Sequence, residues 1–285
     1  MVQLLAAEIM SVGRMAMMTT KNPKRSRGMY TIDLDGDGKR IKEFPAVTTI
    51  LSKGVVKPAL MGWATKLVQA QAIKCAGLAL GGLKPSDGRG EFENRIAEII
   101  KEDKRADRRE SQKAMAIGSQ VHSLIEAALR AEMNVVHVPP VFNVDYPETK
   151  LAFDRWCEWR KTQNFKPVFV EQVVWSEACE YAGTLDLLAE YPDGSLVVWD
   201  WKVSSGIYPE ALAQNAAYLG AVVEMGHAKE EKITGGVLRL DKTENPEDEW
   251  SEHRITIKES IGNFDWFLTI LRAVIMSKRV SDQLL

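Results

Sequence analysis

The 285 residues, 45% hydrophobic and 27% charged, have the balance of a folded globular protein with room for one large domain or two small ones. No apolar run is long enough to span a bilayer, and a net charge of −2 leaves nucleic acid open as a partner, because binding depends on local patches. Three widely spaced cysteines, Cys75, Cys157 and Cys179, with no CxxC, exclude a disulfide framework and suit a reducing cytoplasm.

In chain order, residues 1–27 read as a flexible arm with a basic end, Lys21, Lys24, Arg25 and Arg27. A hairpin follows over roughly 28–44. Its tip, Asp33 to Gly38, resembles the start of a calcium loop, but the twelfth position is Phe44 rather than glutamate, so a Gly/Asp-rich reversal is the better reading. Helices are expected from about 48 to 163, broken at Gly81–Gly90. One carries Lys101, Lys104, Arg105, Arg108, Arg109 and Lys113, with acidic residues interleaved. The next has an apolar stripe of Ile117, Val121, Leu124, Ile125, Ala128 and Leu129, with His122 and Glu126 on its edge. A helix over Glu148–Gln163 bears Trp156 and Trp159. Strands are expected near 167–175, 182–190 and 195–202, then a helix opened by Pro209, strands near 232–240 and 250–257, and a helix over 258–278. Residues 28–285 are expected to form one domain, with 28–113 a hairpin and helical elaboration and 114–285 the core.

The most informative stretch is AGTLDLLAEYPDGSLVVWDWK, residues 182–202. Pro192-Asp193-Gly194 fits a three-residue hairpin loop with a G1 bulge. That loop pairs Tyr191 with Ser195 and Ala189 with Val197, and sets Asp186 opposite Asp200. Directly opposed residues have Cβ atoms roughly 4.5–5.5 Å apart. Two carboxylates so close repel unless a cation sits between them, and neither has another obvious cation nearby. Lys202, two residues past Asp200, shares its face. Hard oxygen ligands of this kind suit Mg²⁺, with Mn²⁺ as a substitute. The chemistry suggested is metal-dependent phosphodiester hydrolysis, in which the cation polarises a phosphoryl oxygen and the lysine stabilises developing charge or orients the attacking water.

His122 and Glu126 lie one helical turn apart, as do Gln214 and Tyr218. Each pair also suits ordinary helix packing. Glu171 lies in a strand expected to pair with the aspartate hairpin; an approach to the metal site is one reading, and an edge-strand carboxylate is the better one.

Asp186 and Asp200-Trp201-Lys202 resemble the core motif of the PD-(D/E)XK nuclease superfamily. Gln214-Asn-Ala-Ala-Tyr218 is similar to the Q-x-x-x-Y helix of its RecB-like branch, and His122 within GSQVHSLIEAAL is similar to that branch's first motif. The segment FPAVTTILSKGVVKPALMGWATK is similar to one in the mitochondrial genome-maintenance exonuclease and related phage exonucleases. The resemblance extends from about residue 44 to about 240. It implies an α/β restriction-endonuclease-like core, a central mixed β-sheet flanked by helices, with an N-terminal helical elaboration. It implies a Mg²⁺-dependent DNA exonuclease acting on single-stranded ends, in a phage or bacterial host cytoplasm. Asp186, Asp200 and His122 would hold metal and Lys202 would serve the attacking water. Glu126, Gln214 and Tyr218 would support the site, with Arg105, Arg108 and Arg109 on DNA phosphates and Trp63 available to stack on bases. Some members of the branch carry a four-cysteine iron–sulfur cluster; four thiolates are needed, and no cluster is expected here. No protein partner is deducible. A structure-specific or restriction-type endonuclease, or a non-cleaving nucleic-acid-binding accessory protein, are the alternatives.

Overall fold

The computed structural model describes residues 23–55, 73, 90, 91, 94, 95, 106–135, 146–244 and 249–283. Two compact units divide the chain, Met1–Val55 with Gly118–Leu285, and Val56–Ile117. In the second unit the described residues are helical. Trp63 and the Lys101–Arg105 part of the basic segment lie outside the described residues.

The first unit opens with a small antiparallel sheet of β1 (Lys24–Ser26), β2 (Met29–Asp33) and β3 (Ile41–Pro45). The expectation of a flexible arm through residue 27 fails at its end. Lys24–Ser26 pairs with Met29–Thr31 across a two-residue turn in which Arg27 and Gly28 both have positive φ, 48° and 79°. A turn with φ > 0 at both central residues matches strand twist, but Arg is not the residue type that announces one. The Asp33 to Gly38 reversal is a turn, as expected. The Asp33 carboxylate accepts the amides of Gly36 and Gly38 at 3.1 and 2.8 Å. Helix α1 (Val47–Gly54) follows, then α2 (Ala106–Glu132) and α3 (Pro147–Lys161). On α2 the buried stripe runs through Ala127 rather than the expected Ala128.

The main sheet has five strands in the order β4 (Lys166–Ser176), β5 (Tyr181–Glu190), β6 (Leu196–Val203), β7 (Ile233–Leu240) and β8 (Trp250–Ile255). Helix α4 (Pro209–Glu224) connects β6 to β7, which pair in parallel, as a crossover connection requires. The other neighbours are antiparallel, so the sheet is mixed. Helix α5 (Ile257–Gln283) closes the described chain. The architecture is α/β, a mixed sheet flanked by helices. No helix among the described residues is long and apolar enough to cross a membrane.

Alternation along β6 divides its side chains between two environments. Trp199 and Trp201 turn to α3, where Trp159 meets both edge-on at 4.9 and 5.4 Å between centroids. All three are buried, and each such aromatic pair adds roughly 0.5–1.5 kcal/mol beyond area burial. Asp200 and Lys202 turn to the side of α4. There Val198 and Leu188 of the sheet, Ala213 and Ala217 of α4, Val47 and Ile50 of α1 and Phe267 and Ile270 of α5 form the largest apolar core. Two polar groups at the end of a central strand are thus anchored by tryptophans on the reverse face.

Candidate metal centre

The β5–β6 turn forms as its sequence predicts. Gly194 has φ +78° and donates to the Tyr191 carbonyl, and the Tyr191 amide donates to the Ser195 carbonyl, both at 2.9 Å. Pairing then runs Glu190↔Leu196, Ala189↔Val197, Leu188↔Val198 and Leu187↔Trp199. One more step sets Asp186 level with Asp200, but the backbone ladder ends before it. In an antiparallel ladder alternate pairs exchange hydrogen bonds. Counting from Tyr191 and Ser195, the Trp201 amide would meet the Leu185 carbonyl. It donates instead to Oδ2 of Asp186, at 2.7 Å. The carbonyl of the same residue, Trp201, accepts from Nε2 of His122 at 3.1 Å. The backbone of one residue, through the two peptides that flank its Cα, therefore holds two candidate ligands, and turns Nδ1 of His122 toward the carboxylates.

Nδ1 lies 3.5 Å from Oδ1 of Asp186 and 3.8 Å from Oε1 of Glu171. One donor atom from each of these three residues falls within 4.8 Å of the others. Burial works against charge on the imidazole, but the Asp186 charge and the contacts with Asp186 and Glu171 outweigh it, and the pKa is raised to about 10. The Asp186 carboxyl is penalised by burial, yet the His122 charge brings it below its ordinary value. Burial raises the Glu171 carboxyl, with His122 opposing.

Asp200 is fully buried and has different company. Nε2 of Gln214 donates to its Oδ1 at 2.9 Å and to the hydroxyl of Tyr218 at 3.1 Å. Nζ of Lys202 stands 2.6 Å from Oδ2 and 3.5 Å from Oε1 of Gln214. The Lys202 approach makes an ion pair without hydrogen-bond geometry, so Oδ2 is a buried oxygen lacking a directed donor. Burial raises the Asp200 carboxyl, Lys202 opposes, Asp186 adds to the rise, and the result is about 6. The sequence reading that neither aspartate has another cation at hand is thus corrected. Lys202 attends Asp200 and protonated His122 attends Asp186.

The donors suit a divalent cation. One imidazole nitrogen and two carboxylates converge, with Nδ1 of His122 3.5 and 3.8 Å from the oxygens of Asp186 and Glu171, a nitrogen and oxygen donor set of the kind divalent cations take. An imidazole whose other nitrogen donates to a backbone carbonyl is oriented as metal-ligating histidines are.

The chain matches no protein-family model and no curated protein.

The remaining expected residues are more dispersed. Glu126 is one turn along α2 and pairs with Arg130 at 2.8 Å; it is not one of the three converging donors, though its charge adds to the rise of the Glu171 carboxyl. Arg109 is exposed on the part of α2 that belongs to the second unit. Arg105 and the side chain of Arg108 lie outside the described residues.

Of two further participants, the sequence ranked one too low and passed over the other. Glu171 does sit on an edge strand, but it is not a peripheral carboxylate. It falls between the pairs Val170↔Leu187 and Gln172↔Leu185, level with Asp186, and its φ is +49°. This left-handed residue inside a strand carries its carboxylate to His122, and no sequence signal marks a non-glycine residue for that conformation. Gly183 is the other. A Cβ there would lie 2.3 Å from Cε1 of Tyr218, so the tyrosine ring packs directly on its backbone. Glycine inside a strand pattern is a known sign of close approach, and it was available in AGTLD.

Proposed function

We propose that this chain is a divalent-metal-dependent deoxyribonuclease of the PD-(D/E)XK superfamily, RecB-like branch, acting as an exonuclease on single-stranded DNA ends. The observation that carries the reading is the meeting of His122, Asp186, Asp200, Lys202, Gln214 and Tyr218, from two helices and two strands, around one end of β6. The order α2, α3, β4, β5, β6, α4, β7 supports the same core.

His122, Asp186 and Asp200 would hold Mg²⁺ or Mn²⁺, which supplies charge stabilisation to a phosphoryl group. The other roles belong to the chain itself. Lys202, partly exposed and resting on Asp200, turns to an incoming phosphate and stabilises charge as the pentavalent state forms. Gln214 keeps Asp200 and Lys202 in register through its two amide atoms, and Tyr218 fixes which way that amide points. The backbone of Trp201 keeps Asp186 and His122 in place through its amide and its carbonyl. The preference for single-stranded ends rests on the helical sequence before the core, whose Arg105, Arg108 and Arg109 would grip phosphates and make binding steeply salt-dependent.

The test compares linear with closed circular single-stranded DNA, with Mg²⁺ and with EDTA. Shortening of the linear strand alone, abolished by EDTA, is expected. Full activity in EDTA would end the metal-dependent reading, and efficient cutting of the circle would move it to an endonuclease.

A further inference from the structure

We propose that Glu171 is a protein ligand of the metal centre, and that the cation settles first among His122, Glu171 and Asp186 while Lys202 still holds Asp200. The inference rests on the metal-dependent reading above and adds a residue from a strand outside its motifs.

The geometry separates two groups of donors. Nδ1 of His122, an Oε of Glu171 and an Oδ of Asp186 already converge within 4.8 Å. Asp200 is not in that group. Its Oδ1 is taken by Gln214 and its Oδ2 faces the Lys202 ammonium. A cation approaching Asp200 would first have to displace that ammonium, whereas one entering between the other three meets two carboxylates and an imidazole nitrogen. Glu171 is also positioned at a cost. A non-glycine residue held at φ +49° in a strand is strained and persists where surroundings over-determine it. Its contact there is with His122, at 3.8 Å. Asp200 Oδ2 is buried and has the Lys202 ammonium beside it but no directed donor. One imidazole and two carboxylates form a mixed donor set, for which Mn²⁺ ranks below the later transition ions but accepts both ligand types.

The experiment titrates Mn²⁺ into the full-length, EDTA-stripped protein and reads free Mn²⁺ by electron paramagnetic resonance. E171Q is expected to weaken binding at least ~10-fold, on the scale of disturbed metal sites. E177Q removes an exposed carboxylate on the turn after β4 that pairs with Arg40, and is expected to bind as the wild type does. Wild-type affinity in folded E171Q would overturn the proposal, as would equal weakening in E177Q. Circular dichroism checks the fold. Should E171Q not fold, E171D takes its place. Its carboxylate, one methylene shorter, leaves the cluster and weakens binding at least ~3-fold, and unchanged affinity there overturns the proposal too. The two proposals fail differently. Wild-type protein that binds Mn²⁺ through Glu171 but cuts no DNA refutes the nuclease and leaves the ligand. Protein that cuts DNA with Glu171 dispensable for Mn²⁺ does the reverse.

Discussion

Replacing Asp200 by asparagine should make the metal-free protein more stable. The carboxylate is fully buried, and its pKa is raised from 3.8 to about 6 despite the neighbouring lysine. Every tenfold change in proton affinity is worth ~1.4 kcal/mol, so holding Asp200 ionised at pH 8 opposes folding by ~3 kcal/mol. Asparagine has nearly the same shape, and its Oδ1 still accepts from Gln214. The side chain of Lys202 is 27% exposed and can hydrate when its partner becomes neutral. The gain corresponds to a rise in Tm of roughly 5–10 °C for a chain of this size. The sign follows from linkage. A folded-state pKa above the unfolded value means that the folded protein binds the proton more tightly, so the wild type recovers stability as pH falls through about 6, with recovery complete below 3.8. The wild-type deficit should be full at pH 8, shrink through pH 6 and vanish near pH 4. His122 acts in a separate window. Its raised pKa lends stability that is complete below 6.5 and lost as pH rises through about 10. Asp241, held below its ordinary value by Thr243 and Arg239 against the penalty of burial, loses its contribution in acid in both proteins and cancels in the difference. The assay is thermal unfolding of both proteins in EDTA from pH 4 to 9. An asparagine variant less stable than wild type at pH 8, or a difference that does not change with pH, would refute the reasoning.

Two further outcomes follow from the site. Lys202→Ala should reduce single-turnover cleavage at least ~10²-fold with metal affinity unchanged or higher, since the ammonium competes with the cation for Asp200; calorimetry showing metal binding lost with Lys202 would contradict the assignment. Gly183→Ala should cost roughly 1–3 kcal/mol, because its methyl would meet the Tyr218 ring at 2.3 Å, and the displaced hydroxyl should release Gln214 and lower cleavage as well; normal melting together with normal cleavage would exclude the close packing.

The hairpin was legible because its turn chemistry is local. Pro192, Asp193 and Gly194 determine the loop, the loop determines the register, and the register brings Asp186 and Asp200 level. The shared face of Asp200 and Lys202 and the Gln214–Tyr218 pair could be placed by period alone. What could not be read depends on contacts distant in sequence or on unusual backbone. Glu171 reaches His122 through a left-handed residue with no glycine to announce it. Lys202 was placed on the right face, but its 2.6 Å approach to Asp200 depends on the amide of Gln214 beside it. Asn215 was passed over as the neighbour of Gln214. Its Nδ2 donates to the carbonyls of Val198 and Gly236 and ties β6 to β7, and a Cβ on Gly235 would lie 2.0 Å from its Oδ1. The Gly235-Gly236 pair was visible in the sequence, but its meaning requires knowing which side chains lie against each face.

The backbone of Trp201 joins the assembly of the candidate site to completion of the fold. Its amide and carbonyl serve Asp186 and His122 only when β6 has reached its final register beside β5 and α2 has arrived from some eighty positions earlier in the chain. A slip of one residue would exchange the tryptophan and aspartate faces and withdraw both bonds together. An incompletely assembled chain therefore has its acidic groups scattered and no centre at which to gather a cation. On the proposed function, a chain built in this way would stay inert during synthesis and after partial unfolding, without a separate inhibitor to restrain it.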